Sequence, residues 1–140
     1  MKYPFKIKED KFPLCKASGC SKFSATDAKG RKAKNGLCHK HYQLAWRFNN
    51  PLMSYFRSIK DHARKRKIKF SLSYKYFKTI APENWKELSC DRKEATKGYE
   101  PGNIQFIPFS ENAAKGNRER HLPEHIKHMI GRGLDENEPF

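Results

Sequence analysis

Four side chains are spaced to wrap a single metal ion. Cys15 and Cys20 form one close pair, Cys38 and His41 a second, and seventeen residues lie between the pairs. Zinc takes thiolate and imidazole ligands in a tetrahedron, and two short pairs joined by a longer loop supply that geometry. Four protein ligands leave no open position, so the ion would be structural rather than catalytic. Gly36 permits a tight backbone just before Cys38, which with His41 would sit on a turn entering a helix. His39 points elsewhere, as a phosphate contact or a bystander. The plain alternative is three reduced cysteines and an ordinary surface histidine.

Farther along runs Leu88-Ser89-Cys90-Asp91-Arg92, then Gly98-Tyr99-Glu100-Pro101-Gly102-Asn103-Ile104-Gln105-Phe106, then Ser110-Glu111-Asn112. This string reads as strand, turn, strand and helix. It resembles the ββα-metal core of HNH endonucleases, especially phage and homing-type members, over residues 60–117. The resemblance implies that Asp91 is the metal-binding carboxylate at the end of the first strand. It implies that Asn103 braces the loop and that Asn112, on the helix, is the last metal ligand. Asp91, Arg92, Asn103 and Asn112 thus form the expected catalytic set. An Asp carboxylate and an Asn carbonyl are hard oxygen ligands suited to Mg²⁺ or Mn²⁺. Two protein ligands leave positions for water and phosphate oxygens, so the ion can stabilise charge on phosphorus and on the leaving oxygen. The bland alternative pairs Asp91 with Arg92 or Lys93 and leaves Asn112 an ordinary early-helix residue.

One position departs from that family. The histidine expected directly after the Asp, its general base, is Arg92 here. Arginine stays protonated at any workable pH, so Arg92 is expected to clamp a phosphate instead. General-base help is worth about 10²–10⁴-fold, so its loss slows such an enzyme without forbidding turnover. His62, His121, His125 and His128 are the candidate substitutes. Cys90, on the alternate face of the strand from Asp91, is expected to be a buried thiol. The segment Gly36-Leu37-Cys38-His39-Lys40-His41-Tyr42 likewise resembles the zinc knuckle at the front of phage-type HNH proteins. There it fixes a basic helix, here carrying Tyr42, Trp46, Arg47 and Phe48, against DNA; otherwise Trp46 and Phe48 merely pack on the knuckle.

Charge points to the same partner. The 140 residues carry 30 Lys+Arg against 15 Asp+Glu, a net +15. Residues 1–80 hold 21 Lys+Arg and 4 Asp+Glu, whereas residues 81–140 hold 9 and 11. A segment so basic suits a polyanion, since each Lys or Arg facing a phosphate releases condensed counterions. Lys60, Arg64, Lys65, Arg66, Lys67 and Lys69 form the densest run and, with Arg47, are expected to grip DNA backbone phosphates. An acidic membrane surface lacks the amphipathic anchor it would need, and RNA is a lesser alternative suggested by interleaved aromatics.

Elements must position these groups. Residues 1–14 read as a basic arm with little periodicity. Asn49-Asn50-Pro51 marks a helix boundary, with a helix from Pro51 to about Lys67 on the apolar face of Leu52, Phe56, Ile59 and Ala63. Ile68 and Phe70 suggest a short strand, and Ser73 caps a helix over residues 74–80 that Pro82 ends. Trp85 to Cys90 and Ile104 to Pro108 read as strands, with a helix from Ser110 to about Arg118 and a last one opened by Pro123. The expected architecture is α+β, with residues 1–50 a basic arm and zinc knuckle with helix, 51–134 a ββα-metal domain with flanking helices, and 135–140 an acidic tail.

Other classes fall away. No run approaches 18 apolar residues, and the charged start cannot serve as a signal h-region. Mean hydropathy is −0.97, yet 13% aromatic residues argue for folded structure. The expected setting is a reducing cytoplasm, which by the resemblance is bacterial during phage infection. No phosphate-cradling Gly-rich loop, dinucleotide fingerprint or nucleophile elbow occurs. The expected function is DNA phosphodiester hydrolysis by an HNH-type endonuclease. Its alternative is a non-catalytic DNA-binding or inhibitory protein on a lapsed nuclease core.

Overall fold

Proline, asparagine and glycine punctuate this chain, and the computed structural model, which describes residues 1–8, 13–26, 29 and 34–121, follows that punctuation closely. Four helices and a two-stranded antiparallel sheet make the described part a mixed α+β structure. The helices are α1 (His39–Asn49), α2 (Pro51–Lys65), α3 (Tyr74–Ile80) and α4 (Phe109–Arg120); the strands are β1 (Leu88–Arg92) and β2 (Ile104–Pro108). The chain divides into two compact units, Met1–Ser54 and Tyr55–Phe140, so the boundary falls in the first turns of α2, just past Asn49-Asn50-Pro51. The expected helix after Pro123 and the acidic tail lie outside the described residues.

The first unit has a small interior. Cys15, Ala17, Leu37, Cys38 and Ala45 are its buried core, with Tyr3, Phe5, Cys20 and Tyr42 packed against it. Residues 1–8, part of the basic arm, pair with the rest of this unit. Lys8 N–H donates to the Lys16 carbonyl and Ser18 N–H to the Lys6 carbonyl, while Ile7 bridges Ala17. Asn49 closes the start of the chain, accepting from Lys2 N–H and donating to its carbonyl. Alternation of Tyr3, Phe5 and Ile7, a period of two, is the signal for this pairing.

The second unit is built on aromatic rings. Phe56, Ile59 and Ala63 bury one face of α2, which stops at Lys65 because Lys67 turns left-handed, with φ 57°. Lys67 N–H then donates to Arg64 and Ile68 N–H to Ala63, satisfying the last carbonyls. Ser73 caps α3 as its sequence position demands, its hydroxyl accepting from Tyr76 N–H. Phe77 on α3 is fully buried, and its ring lies 5.2 Å from that of Phe56, 5.6 Å from Phe106 and 6.3 Å from Tyr55.

Two strand expectations need correction. Residues 85–87 curl into a 3-10 turn, Trp85 N–H donating to Pro82 and Glu87 N–H to Asn84, so β1 begins only at Leu88. Phe70 pairs with Tyr99 in a single parallel bridge rather than a strand. There Tyr99 N–H donates to Lys69 and Ser71 N–H to Tyr99. Gly98 makes this approach possible, because a Cβ on it would stand 2.4 Å from the Lys69 carbonyl oxygen.

Candidate functional site

The four spaced ligands of the first unit converge. Cys15, Cys20, Cys38 and His41 bring their ligand atoms within 4.8 Å of one another and can hold a metal ion such as zinc. His41 Nδ1 lies 3.5 Å from Cys15 Sγ and 3.3 Å from Cys38 Sγ. With Zn–S about 2.3 Å and Zn–N about 2.05 Å, a tetrahedron requires S···N edges of about 3.5 Å. The imidazole is thus already at ligand distance. Gly36, at φ 71°, turns the chain into Leu37 and Cys38, and α1 starts directly after the cysteine, putting His41 in its first turn. Burial, helped by Lys40 and Lys22, holds the His41 imidazole below its usual pKa, favouring the neutral form that ligates metals. The Phe5 ring meets it edge-on at 4.9 Å. His39 faces outward and contacts the Gln43 amide at 2.7 Å.

In the second unit, strand register decides which side chains meet. Asp91 pairs with Gln105, Cys90 with Phe106 and Arg92 with Ile104. Successive side chains point to opposite faces. Ser89 and Asp91 therefore share one face of β1, and α4 lies against it. Asn112 Nδ2 donates to Ser89 Oγ at 2.7 Å, and Lys115 Nζ, one turn later, reaches Asp91 Oδ2 at 2.7 Å. Gln105 Nε2 donates to the same Asp91 oxygen at 2.9 Å. Lys115 also donates to the Arg92 and Lys93 carbonyls, so its ammonium has three oxygen acceptors. The Asp91 and Lys115 side chains are 13% and 19% exposed.

Cys90 and Arg92 take the opposite face. Burial pushes the Cys90 thiol up to about 12, with the Asp91 charge adding to it, so it is an inert core thiol. Arg92 is only 4% exposed. Its Nη1 donates to the Ala95 carbonyl at 2.6 Å and to the Lys97 carbonyl at 2.7 Å, and its guanidinium lies over the Tyr99 ring at 5.5 Å. The phosphate clamp expected of Arg92 is corrected here: its side chain holds the loop together from within. The period of two that turns Cys90 inward turns Arg92 inward too.

Asn103 sits inside that same loop, 6% exposed and with its amide fully used. Its Oδ1 accepts from Glu94 N–H at 2.9 Å, and its Nδ2 donates to the Gly98 carbonyl at 2.8 Å and to the Glu94 carbonyl at 3.2 Å. Gly102, at φ 83°, supplies the left-handed turn just before it.

Cationic residues line the surface. Lys60, Arg64 and Lys65 on α2, and Arg66, Lys67 and Lys69 after it, are all exposed, as is Arg47 on α1. Arg64 makes an exposed pair with Asp61 at 3.4 Å. His62 and His121 are exposed, whereas His125 and His128 lie outside the described residues.

Three residues at the hairpin–helix face escaped the sequence reading: Ser89, Gln105 and Lys115. The signal for Lys115 was present, since it follows Asn112 by three positions and so shares its helical face. No helix among the described residues is long and apolar enough to cross a membrane. The chain matches no protein-family model, no curated protein and no solved structure.

Proposed function

We propose that this protein is a metal-dependent DNA endonuclease of the HNH type, with a structural zinc in its first unit, acting in a reducing bacterial cytoplasm during phage infection. One observation carries the reading. A braced strand–loop–strand–helix sets the Asp91 carboxylate on the hairpin face that α4 covers with Asn112 and Lys115. The oxygens that meet at Lys115, from the Asp91 carboxylate and the Arg92 and Lys93 carbonyls, suit a hard cation such as Mg²⁺ or Mn²⁺. Asp91 would hold the ion, with the Asn112 side-chain oxygen as the second protein ligand. When bound, the ion supplies Lewis-acid stabilisation of the phosphate oxygens. The chain's own tasks are positional. Asn103 and Arg92 fix the loop, so that the end of β1 keeps its aim. Lys60, Arg64, Lys65, Arg66, Lys67, Lys69 and Arg47 neutralise backbone phosphates, each contributing about one unit to the salt dependence of binding.

The test is cleavage of supercoiled plasmid with Mg²⁺ or Mn²⁺ by the wild type, Asp91→Ala and Asn112→Ala. Nicking by the wild type that both substitutions abolish supports the reading. Equal activity in all three would trace the cleavage to another site or a contaminant. A second reading, a non-catalytic DNA-binding or inhibitory protein on a lapsed nuclease core, draws on two observations: Arg92 is buried where a base would serve, and Lys115 already neutralises Asp91. Tight DNA binding with no cleavage under either metal would establish it.

A further inference from the structure

We propose that Lys115 is the resident counter-cation of the hairpin–helix site, its ammonium occupying the place on Asp91 that a divalent ion takes, so that the ion enters only by exchange with it. This rests on the reading of Asp91 as a metal ligand. Lys115 Nζ gathers three oxygens, Asp91 Oδ2 at 2.7 Å, the Arg92 carbonyl, and the Lys93 carbonyl at 3.4 Å. Such a convergence of oxygens on one cation is what a hard metal ion also demands. Both charged side chains are largely shielded from water, so salt screens the pair weakly. At rest the site is electrically neutral, and a metal ion arriving alone must evict an ammonium that has nowhere better to go.

DNA changes that balance. A backbone phosphate brought to the site offers the displaced ammonium a new partner, and the long lysine stem lets it swing there without moving α4. Divalent ion and duplex should therefore bind cooperatively, each raising the affinity of the other by the same factor. Lys115 is in this sense a positioning residue. It keeps the site closed to free metal and opens it at a phosphate.

Binding of Mn²⁺ to the zinc-loaded full chain, followed by the paramagnetic signal of the free ion, tests this. Without DNA, Lys115→Met and Lys115→Gln should bind Mn²⁺ about tenfold or more tighter than wild type, and Asp91→Asn added to either should erase the gain. Lys115→Arg keeps the charge and should leave the affinity near the wild-type value. In the wild type, a short duplex should tighten Mn²⁺ binding about tenfold, a measurement that needs no variant to fold. Equal affinities in wild type and Lys115→Met, both lost on Asp91→Asn, would overturn the exchange while leaving Asp91 a metal ligand. No Asp91-dependent Mn²⁺ binding in any variant, with or without duplex, would overturn both.

Discussion

The two units close their interiors with different chemistry. In the first, two of the five buried core residues are cysteines, and the only large aliphatic side chain among them is Leu37. In the second, Tyr55, Phe56, Phe70, Tyr74, Phe77 and Phe106 interlock ring on ring, and Trp85 stacks on Tyr55 at 5.4 Å. Aromatic side chains bury large areas and gain further from edge and tilted contacts. A core of alanines and thiols buries little, which is why small units lean on metals or disulfides. The first unit gathers four residues that can hold a metal ion around a small core, and the second rests on hydrophobic packing. Removing metal should therefore separate them.

Chelation is the largest expected effect. Structural zinc contributes roughly 10–16 kcal/mol of apparent binding free energy in small metal-dependent domains, more than such a core can replace. The two tryptophans report the halves separately, Trp46 on α1 and Trp85 beside Tyr55. In the Trp85→Phe variant, a strong chelator should shift Trp46 emission to that of an unfolded chain. In the Trp46→Phe variant, Trp85 emission and its melting midpoint should stay put. A first unit that survives metal removal would break the contrast at its root.

Phe77→Ala probes the opposite half and ranks next. Its ring is fully buried among three other aromatics, and truncating such a residue costs about 3–5 kcal/mol in lost transfer and cavity terms. The Trp85 unfolding transition should move to lower denaturant, while zinc content and the Trp46 signal remain those of wild type. Loss of zinc in this variant would mean that the halves do not fold independently.

What could be read in advance follows a physical line. Features fixed within a few residues were legible: the Ser73 cap, the end points of β2, the positive-φ turn at Gly36, and the ligand spacing that Cys15, Cys20, Cys38 and His41 now realise in space. Features set by pairing across the chain were not. Residues 1–8 show only a short alternation at Tyr3, Phe5 and Ile7, and their partners, Lys16, Ser18 and Asn49, lie well downstream. Arg92 was given a surface task by its position in a motif, although strand alternation already assigned it to the face of Cys90. For Lys115, helical spacing gives the face it shares with Asn112, but only the folded pairing shows that this face meets a strand carboxylate 24 residues earlier.

Asn103 supplies the finest contrast, since it braces a loop that the ring core touches through Tyr99, 5.7 Å from Phe70. The loop between β1 and β2 has no large apolar core of its own; a single carboxamide makes three hydrogen bonds inside it, to Glu94 N–H and to the Glu94 and Gly98 carbonyls. Asn103→Ala leaves the buried groups unpaired, and each such loss costs about 1–3 kcal/mol where water cannot enter. Because the loop is open to solvent on its outer side, at Lys93, Glu94 and Lys97, the cost should fall at the low end of that range. The Trp85 transition should shift less than in Phe77→Ala, and amide exchange should accelerate at Glu94 before it does in α3. Asn103→Asp restores the acceptor for Glu94 N–H but not the two donors, so it should recover protection at Glu94 alone. Should Asn103→Ala melt the unit as deeply as Phe77→Ala, the division of labour between ring core and polar brace would be wrong.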